Sequence, residues 1–183
     1  MRIVSGTFGG RRLKAVPGTK TRPTTDKVKE SIFNMVGPYF DGGRSLDLYA
    51  GSGGLSIEGV SRGIDHAVLV DRQFEAIKTI KENIAVTKAE DQFTVIKSRA
   101  DQAIERLAGG EAFDLLYFDP PYAKQTIAED VKKLANLGLI AEDAIIIAET
   151  DQVADLPDNL SGFTQIKQKD YGITVITIYE SEN

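Results

Sequence analysis

Leu46-Asp47-Leu48-Tyr49-Ala50-Gly51-Ser52-Gly53-Gly54-Leu55 is the stretch whose reading fixes the kind of fold. The run 45–50 is short, apolar and strand-like, the glycines after it make a turn, and the apolar positions of 54–62 recur with a helical period. Strand, glycine turn and helix in that order begin a βαβ unit. Glycines allow a ligand to approach the backbone closely, and a helix N-terminus presents N–H groups that have no partner within the helix.

Working outward, further short apolar runs fall at 67–70, 93–96, 115–118 and 144–148, separated by helical patterns at 73–86, 101–108 and 127–137. Such alternation predicts an α/β domain of the doubly wound, Rossmann-like kind, with a mostly parallel sheet and helices on both faces. Near the end, 163–167 and 173–179 follow one another across Asp170-Tyr171-Gly172 and read as an antiparallel hairpin added to the sheet edge. Upstream, Val28, Ile32, Phe33 and Val36 share one face of a helix over 26–36, with Thr24 or Thr25 as its cap and Gly37-Pro38 as its end. The chain divides into a basic N-terminal extension and helix, residues 1–44, and an α/β domain, residues 45–183.

Composition removes several chemistries. There is no cysteine and His66 is the one histidine, so thiolate catalysis, iron–sulfur clusters and multi-histidine metal sites are excluded, and no metal is expected. Gly59-Val60-Ser61-Arg62-Gly63 has the letters of a nucleophile elbow, but it closes a helix and precedes a strand, the reverse of the required order. No apolar run approaches the roughly 18 residues of a membrane span, and the N-terminus lacks the apolar block of a signal peptide. A cytoplasmic protein with no membrane partner is expected. Net charge is −5, yet residues 1–44 hold nine basic and three acidic side chains, leaving the remainder at −11. Arg11, Arg12, Lys14, Lys20 and Arg22 lie in a Gly/Pro/Thr-rich stretch that is expected to bury little and to lie along a polyanion such as a nucleic-acid backbone.

In a doubly wound sheet, ligands bind outside the carboxyl ends of the strands. The Ala50-Gly51-Ser52-Gly53 turn lacks the Lys-Ser/Thr of a phosphate loop, and Ser56 stands where a dinucleotide site wants its third glycine. Asp47 in an apolar strand calls for a cationic partner; the ammonium group of S-adenosylmethionine is one, and a dinucleotide has none. Asp71, with Arg72 beside it, ends the second strand 20 residues after Gly51, a spacing suited to ribose hydroxyls, although it also suits a helix cap. Asp101, after the third strand, reads as an adenine contact or as a cap. Asp119-Pro120-Pro121-Tyr122 follows the fourth strand. Its prolines fix the backbone and remove two donors, so a carboxylate and a free carbonyl can grip both hydrogens of a planar amine while Tyr122 stacks on the base. That arrangement suits methylation of an exocyclic amine, a displacement that needs positioning rather than a nucleophilic side chain.

These motifs together resemble the class I S-adenosylmethionine-dependent methyltransferases, and more narrowly the RsmD-like 16S rRNA guanine-N2 methyltransferases. The narrower likeness is carried by Arg22-Pro23-Thr24-Thr25-Asp26-Lys27-Val28-Lys29-Glu30-Ser31-Ile32-Phe33-Asn34 with Gly9-Gly10-Arg11-Arg12-Leu13 before it, and by 46–53 and 119–122. Where this chain has Lys27 and Lys29, members of that family commonly carry arginine, whose bidentate phosphate contact a lysine lacks. The resemblance implies that Asp47 and the 51–53 turn hold the methionine part of the cofactor, Asp71 its ribose and Asp101 its adenine. It implies that Asp119 and Pro120 orient a guanine amine and Tyr122 stacks on the base. It also implies a basic surface of Arg11, Arg12, Lys14, Arg22, Lys27 and Lys29 against 16S rRNA, free or in a partly assembled 30S particle. Amine methyltransferases acting on DNA adenine or protein glutamine share the Asp-Pro-Pro-Tyr element and are the nearest alternatives. A nicotinamide oxidoreductase and a non-catalytic RNA-binding module fit the residues less well.

Overall fold

The computed structural model of the protein describes residues 1–18, 24–121, 125–152 and 154–181. Its elements are α1 (Asp26–Val36), β1 (Arg44–Asp47), α2 (Gly54–Ser61), β2 (His66–Asp71), α3 (Phe74–Thr87), β3 (Phe93–Lys97), α4 (Ala100–Leu107), β4 (Phe113–Phe118), α5 (Ile127–Asn136), β5 (Ile140–Thr150), β6 (Asn159–Leu160), β7 (Phe163–Asp170) and β8 (Val175–Ser181). The strands form one sheet of eight in the order β3-β2-β1-β4-β5-β8-β7-β6. β1 to β5 run parallel to one another, and β8 returns antiparallel between β5 and β7. This is the doubly wound sheet with a C-terminal antiparallel hairpin that the alternation predicts. The second strand of the hairpin, not the first, joins the parallel part.

Period-2 alternation splits each inner strand between two cores. Ala67, Leu69, Leu115, Tyr117 and Ile147 face one layer with Leu55, Ile57 and Val60 of α2 and Ile77, Ile80 and Ile84 of α3. Leu46, Val68, Val70, Leu116, Phe118, Ile146 and Ala148 face the other, with Ala103 and Ile104 of α4 and Ile127, Val131 and Leu134 of α5. Among the described residues no helix is long and apolar enough to cross a membrane.

The N-terminal segment departs from expectation. Instead of lying open, residues 1–13 curl back on themselves: Ile3 N donates to Arg11 O at 2.8 Å, Gly10 N to Ile3 O at 2.7 Å and Leu13 N to Met1 O at 2.9 Å. The curl places Ile3, Phe8 and Leu13 in the same core as α2, α3 and Ile32 and Phe33 of α1. Its backbone is fastened by α2. Glu58 accepts from Val4 N at 2.8 Å and Ser5 N at 3.1 Å, and Ser61 Oγ donates to Ser5 O at 2.6 Å while accepting from Phe8 N at 2.9 Å. Gly6, at φ +89°, passes so close that a Cβ there would fall 1.9 Å from Ser61 O. Asn83 of α3 completes the attachment, accepting from Lys14 N at 2.8 Å and donating to Lys14 O and Ser52 O.

α1 spans the range its periodicity predicts, and of the two threonines it is Thr25 that caps it, accepting from Val28 N at 3.2 Å. Thr24 is free for another partner.

Candidate active site

α2, which follows β1, packs on one face of the sheet and α5, which follows β4, on the other. Neighbouring strands whose connections leave in opposite directions open a crevice at their carboxyl ends. Asp47 ends β1 at this point, and Asp119 follows the last residue of β4. Between them runs the turn to α2. Gly53 caps that helix at φ +83°, and a Cβ there would press on Leu69 at 3.1 Å, so packing demands a glycine. Gly51 is different: at φ +58° it has nothing within 4 Å of where a Cβ would lie, so open space adjoins its backbone.

The crevice is acidic. Asp47 is 2% exposed and accepts a hydrogen bond from Ser56 Oγ at 2.8 Å. Burial pushes its carboxyl up to about 7 despite the opposing pull of that bond, with Asp71 and Glu149 adding repulsion. Asp119 is half-buried. Burial, then the Glu149 carboxylate, then Asp47 push it well above the usual carboxylate range. Asp71 turns one oxygen to Gly51 N at 3.0 Å and the other to Gln73 N at 3.0 Å. It thereby braces the glycine turn and the Gln73 N–H at the entry to α3. Each carboxylate oxygen keeps a second lone pair for a further donor.

The remaining expected contacts are dispersed around this centre. Ala50 is buried, with its N–H bonded to Val70 O at 2.9 Å. Ser52 O accepts from Asn83 at 2.8 Å. Arg72 is exposed beside Asp71. Asp101 stands in the first turn of α4, 3.3 Å from Arg99 Nη2. Pro120 is buried and Pro121 exposed; Tyr122 lies outside the described residues. Tyr49, just past β1, donates to Asp130 of α5 at 2.6 Å and so anchors the helix that the Asp119 loop leads into.

Of the expected phosphate contacts, Arg12 and Lys27 are exposed, and Lys14 is exposed while pairing with Glu82 at 3.2 Å. Arg11 is also exposed, but its guanidinium donates to Val86 O and Thr87 O at the end of α3 and stacks 5.3 Å over the Phe8 ring. Arg22 lies outside the described residues. Lys29 is a correction. It is 1% exposed, sits 3.5 Å from the buried Glu58, and donates to Arg2 O at 2.6 Å, so its ammonium holds the N-terminal curl and does not face a phosphate. Burial above all lowers its proton affinity.

Three participants escaped the sequence reading. Ser56 was a mere missing glycine there, yet one helical turn into α2 it faces Asp47. Glu149 fell just past the apolar run 144–148, and Tyr49 was an ordinary apolar-run residue. The cost of an acid in an apolar strand marks Asp47 from sequence, and it marks Glu149 only once β5 is seen to run on to Thr150.

The family described as Conserved hypothetical protein 95 matches residues 1–180. A Bacillus subtilis (strain 168) relative named "Putative rRNA methyltransferase YlbH" is 46% identical over 181 residues, 98% of each chain. "Ribosomal RNA small subunit methyltransferase D" of Escherichia coli (strain K12) is 29% identical over 100% of this chain and 90% of its own. Among solved structures, an Escherichia coli protein described as "Putative methyltransferase yhhF" superposes with a TM-score of 0.84 at 30% identity, covering 100% of this chain and 98% of that one. A Streptococcus pyogenes protein, 48% identical, superposes with a TM-score of 0.81 over 85% of this chain and 96% of its own. By sequence along nearly its whole length, and by a fold of the class I methyltransferase kind, this chain belongs to the RsmD methyltransferase family.

Proposed function

We propose that this protein transfers a methyl group from S-adenosylmethionine to the exocyclic N2 amine of a guanine in 16S rRNA. The observation that carries the reading is electrostatic. At the crevice where β1 and β4 diverge, the charged groups bearing most strongly on Asp47 and Asp119 are themselves acidic. Buried acids held together without a cation are costly, and they are stabilised by a ligand that brings positive charge. The residues fit S-adenosylmethionine on that ground and on the open space beside Gly51.

When bound, that cofactor supplies a methyl group activated on a sulfonium. Asp47, oriented by Ser56, takes the ammonium group, and the 50–53 turn borders the carboxylate end on the open side of Gly51. Asp71 takes ribose hydroxyls with its spare lone pairs, and Arg72 and Asp101 border the adenine. Asp119 and the Pro120 carbonyl each accept one hydrogen of the amine, which turns the nitrogen lone pair toward the methyl. Pro121 keeps the loop stiff, and Tyr122 stacks on the base. Arg12, Lys14 and Lys27, with Arg11 and Arg22, form the cationic track for phosphates. The names of the relatives support a ribosomal acceptor; the choice of guanine N2 rests on the resemblance of the Arg22–Asn34 segment and the 119–122 loop.

The test offers labelled S-adenosylmethionine with three acceptors in parallel: unmodified 16S rRNA (naked and in 30S particles), duplex DNA, and a glutamine-containing release-factor domain. Label in rRNA alone supports the reading. Label in DNA or protein moves the same chemistry to another amine and overturns the substrate.

A further inference from the structure

We propose that Glu149 is a positioning residue for the amine-binding carboxyl of Asp119, and that Thr24 in turn holds Glu149, so that the segment entering α1 sets the geometry at the transfer site. The proposal rests on the amine-methyltransferase reading above.

Parallel pairing of Phe118 with Ala148 brings the next residues, Asp119 and Glu149, side by side at the ends of β4 and β5. Burial and then the adjacent Glu149 carboxylate raise Asp119 well above the usual carboxylate range, and two carboxyl groups placed side by side favour holding one proton between them. Glu149 is 5% exposed, and Thr24 Oγ1 lies 3.1 and 3.0 Å from its two oxygens, donating its one proton between them. Thr24 does not cap α1, a task Thr25 performs, so this bond is what its hydroxyl does. The groups bearing on the pair are Asp47 of β1 and, through Asp47, Asp71 of β2, all acidic.

A pair with one proton has one fixed orientation and one negative charge. As the nitrogen lone pair forms the new N–C bond and the C–S bond breaks with its electrons staying on sulfur, positive charge passes to nitrogen and one N–H proton has to leave. Asp119, which touches the amine, takes it; the pair goes from one proton to two, becomes neutral, and later releases the proton to water. Glu149 acts only through Asp119, by fixing where its oxygen points and how readily it accepts. In sequence, Thr24 directly follows Arg22-Pro23 of the basic segment.

The experiment compares wild type, Glu149→Gln, Thr24→Val and Thr24→Ser. Glu149→Gln keeps size and an amide donor but removes the charge. In methyl transfer to rRNA, wild type loses the shared proton at the raised midpoint of Asp119, and that step is expected to be absent from the kcat profile of Glu149→Gln, where Asp119 ionises alone and lower. Its kcat is expected to fall about tenfold, with KM for rRNA and Kd for S-adenosylhomocysteine within about twofold of wild type. Thr24→Val should lower kcat in the same way and Thr24→Ser restore it. Alongside, the carboxyl 13C signal of Asp119 is titrated in the unliganded protein, where its midpoint should drop in Glu149→Gln. If wild type methylates rRNA and the Glu149→Gln profile superimposes on it, the positioning role is overturned and the function stands. If wild type methylates no rRNA amine, the function reading fails, and the 13C titration alone judges the pair: an unmoved midpoint overturns it, a lowered one upholds it.

Discussion

Asp47→Asn isolates the charge that the crevice holds in readiness for a cation. The native carboxyl titrates at about 7 and its unfolded counterpart at 3.8. Between those values the native state keeps a proton that the unfolded chain has lost. Stability due to the neutral side chain is therefore complete below about pH 4 and is lost progressively as pH rises to about 7, at roughly 1.4 kcal/mol per pH unit. An asparagine does not titrate, and its carbonyl still accepts from Ser56. From pH 5 to pH 7 the stability of Asp47→Asn relative to wild type should thus increase by about 2 kcal/mol, then level off. In a protein of this length, that corresponds to about 4–8 °C in the difference between melting temperatures. Urea unfolding of both proteins at pH 5, 6, 7 and 8 measures it, and titrating groups remote from Asp47 cancel in the difference. A difference that stays flat within about 0.5 kcal/mol across this range would refute the raised carboxyl. The more stable variant should be the poorer binder: S-adenosylhomocysteine affinity is expected to strengthen toward pH 7 in wild type and to be weak and nearly pH-independent in Asp47→Asn.

Other expectations follow from the same contacts. Asp119→Ala should abolish methyl transfer, a loss of about 100-fold or more, while calorimetry with S-adenosylhomocysteine stays within a few-fold of wild type; full turnover would remove Asp119 from its role. Arg12→Ala combined with Lys14→Ala should weaken rRNA binding and reduce the salt slope by about one for each lost phosphate contact, and an unchanged slope would take the curl off the RNA. Lys29→Met should leave that slope intact but lower stability by about 2–4 kcal/mol in denaturant melts, because a buried partner of Glu58 is gone; loss of RNA affinity without destabilisation would reverse the assignment.

The sheet was legible because its signals are local. The apolar runs are bounded by turns, and the α1 period ended at Gly37 as its pattern indicated. The β5 strand ran longer than its apolar centre, from Ile140 to Thr150, because Ile140 still pairs with Phe113 of β4 across an irregular register and Glu149 and Thr150 pair with β8. The curl of residues 1–13 was not legible. Ile3, Phe8 and Leu13 lie five residues apart, a spacing that matches neither helix nor strand, and their burial depends on Glu58 and Ser61 from far along the chain. Lys29 misled for the same reason: a lysine in a basic stretch looks like a phosphate contact until Glu58 is found beside it. In the site, residues that follow strands were foreseeable from topology, whereas Ser56 and Glu149 gain meaning only once β1, β4 and β5 lie side by side.

The central claim is that an exocyclic guanine amine is the acceptor, and the nucleoside product tests it most directly. After incubation of unmodified 16S rRNA and 30S particles with the protein and S-adenosylmethionine, the RNA is digested to nucleosides and analysed by mass and retention. The account predicts N2-methylguanosine, formed by wild type and absent with Asp119→Ala. Methylation on adenine, on a ring nitrogen or on ribose, with no N2-methylguanosine, would contradict it.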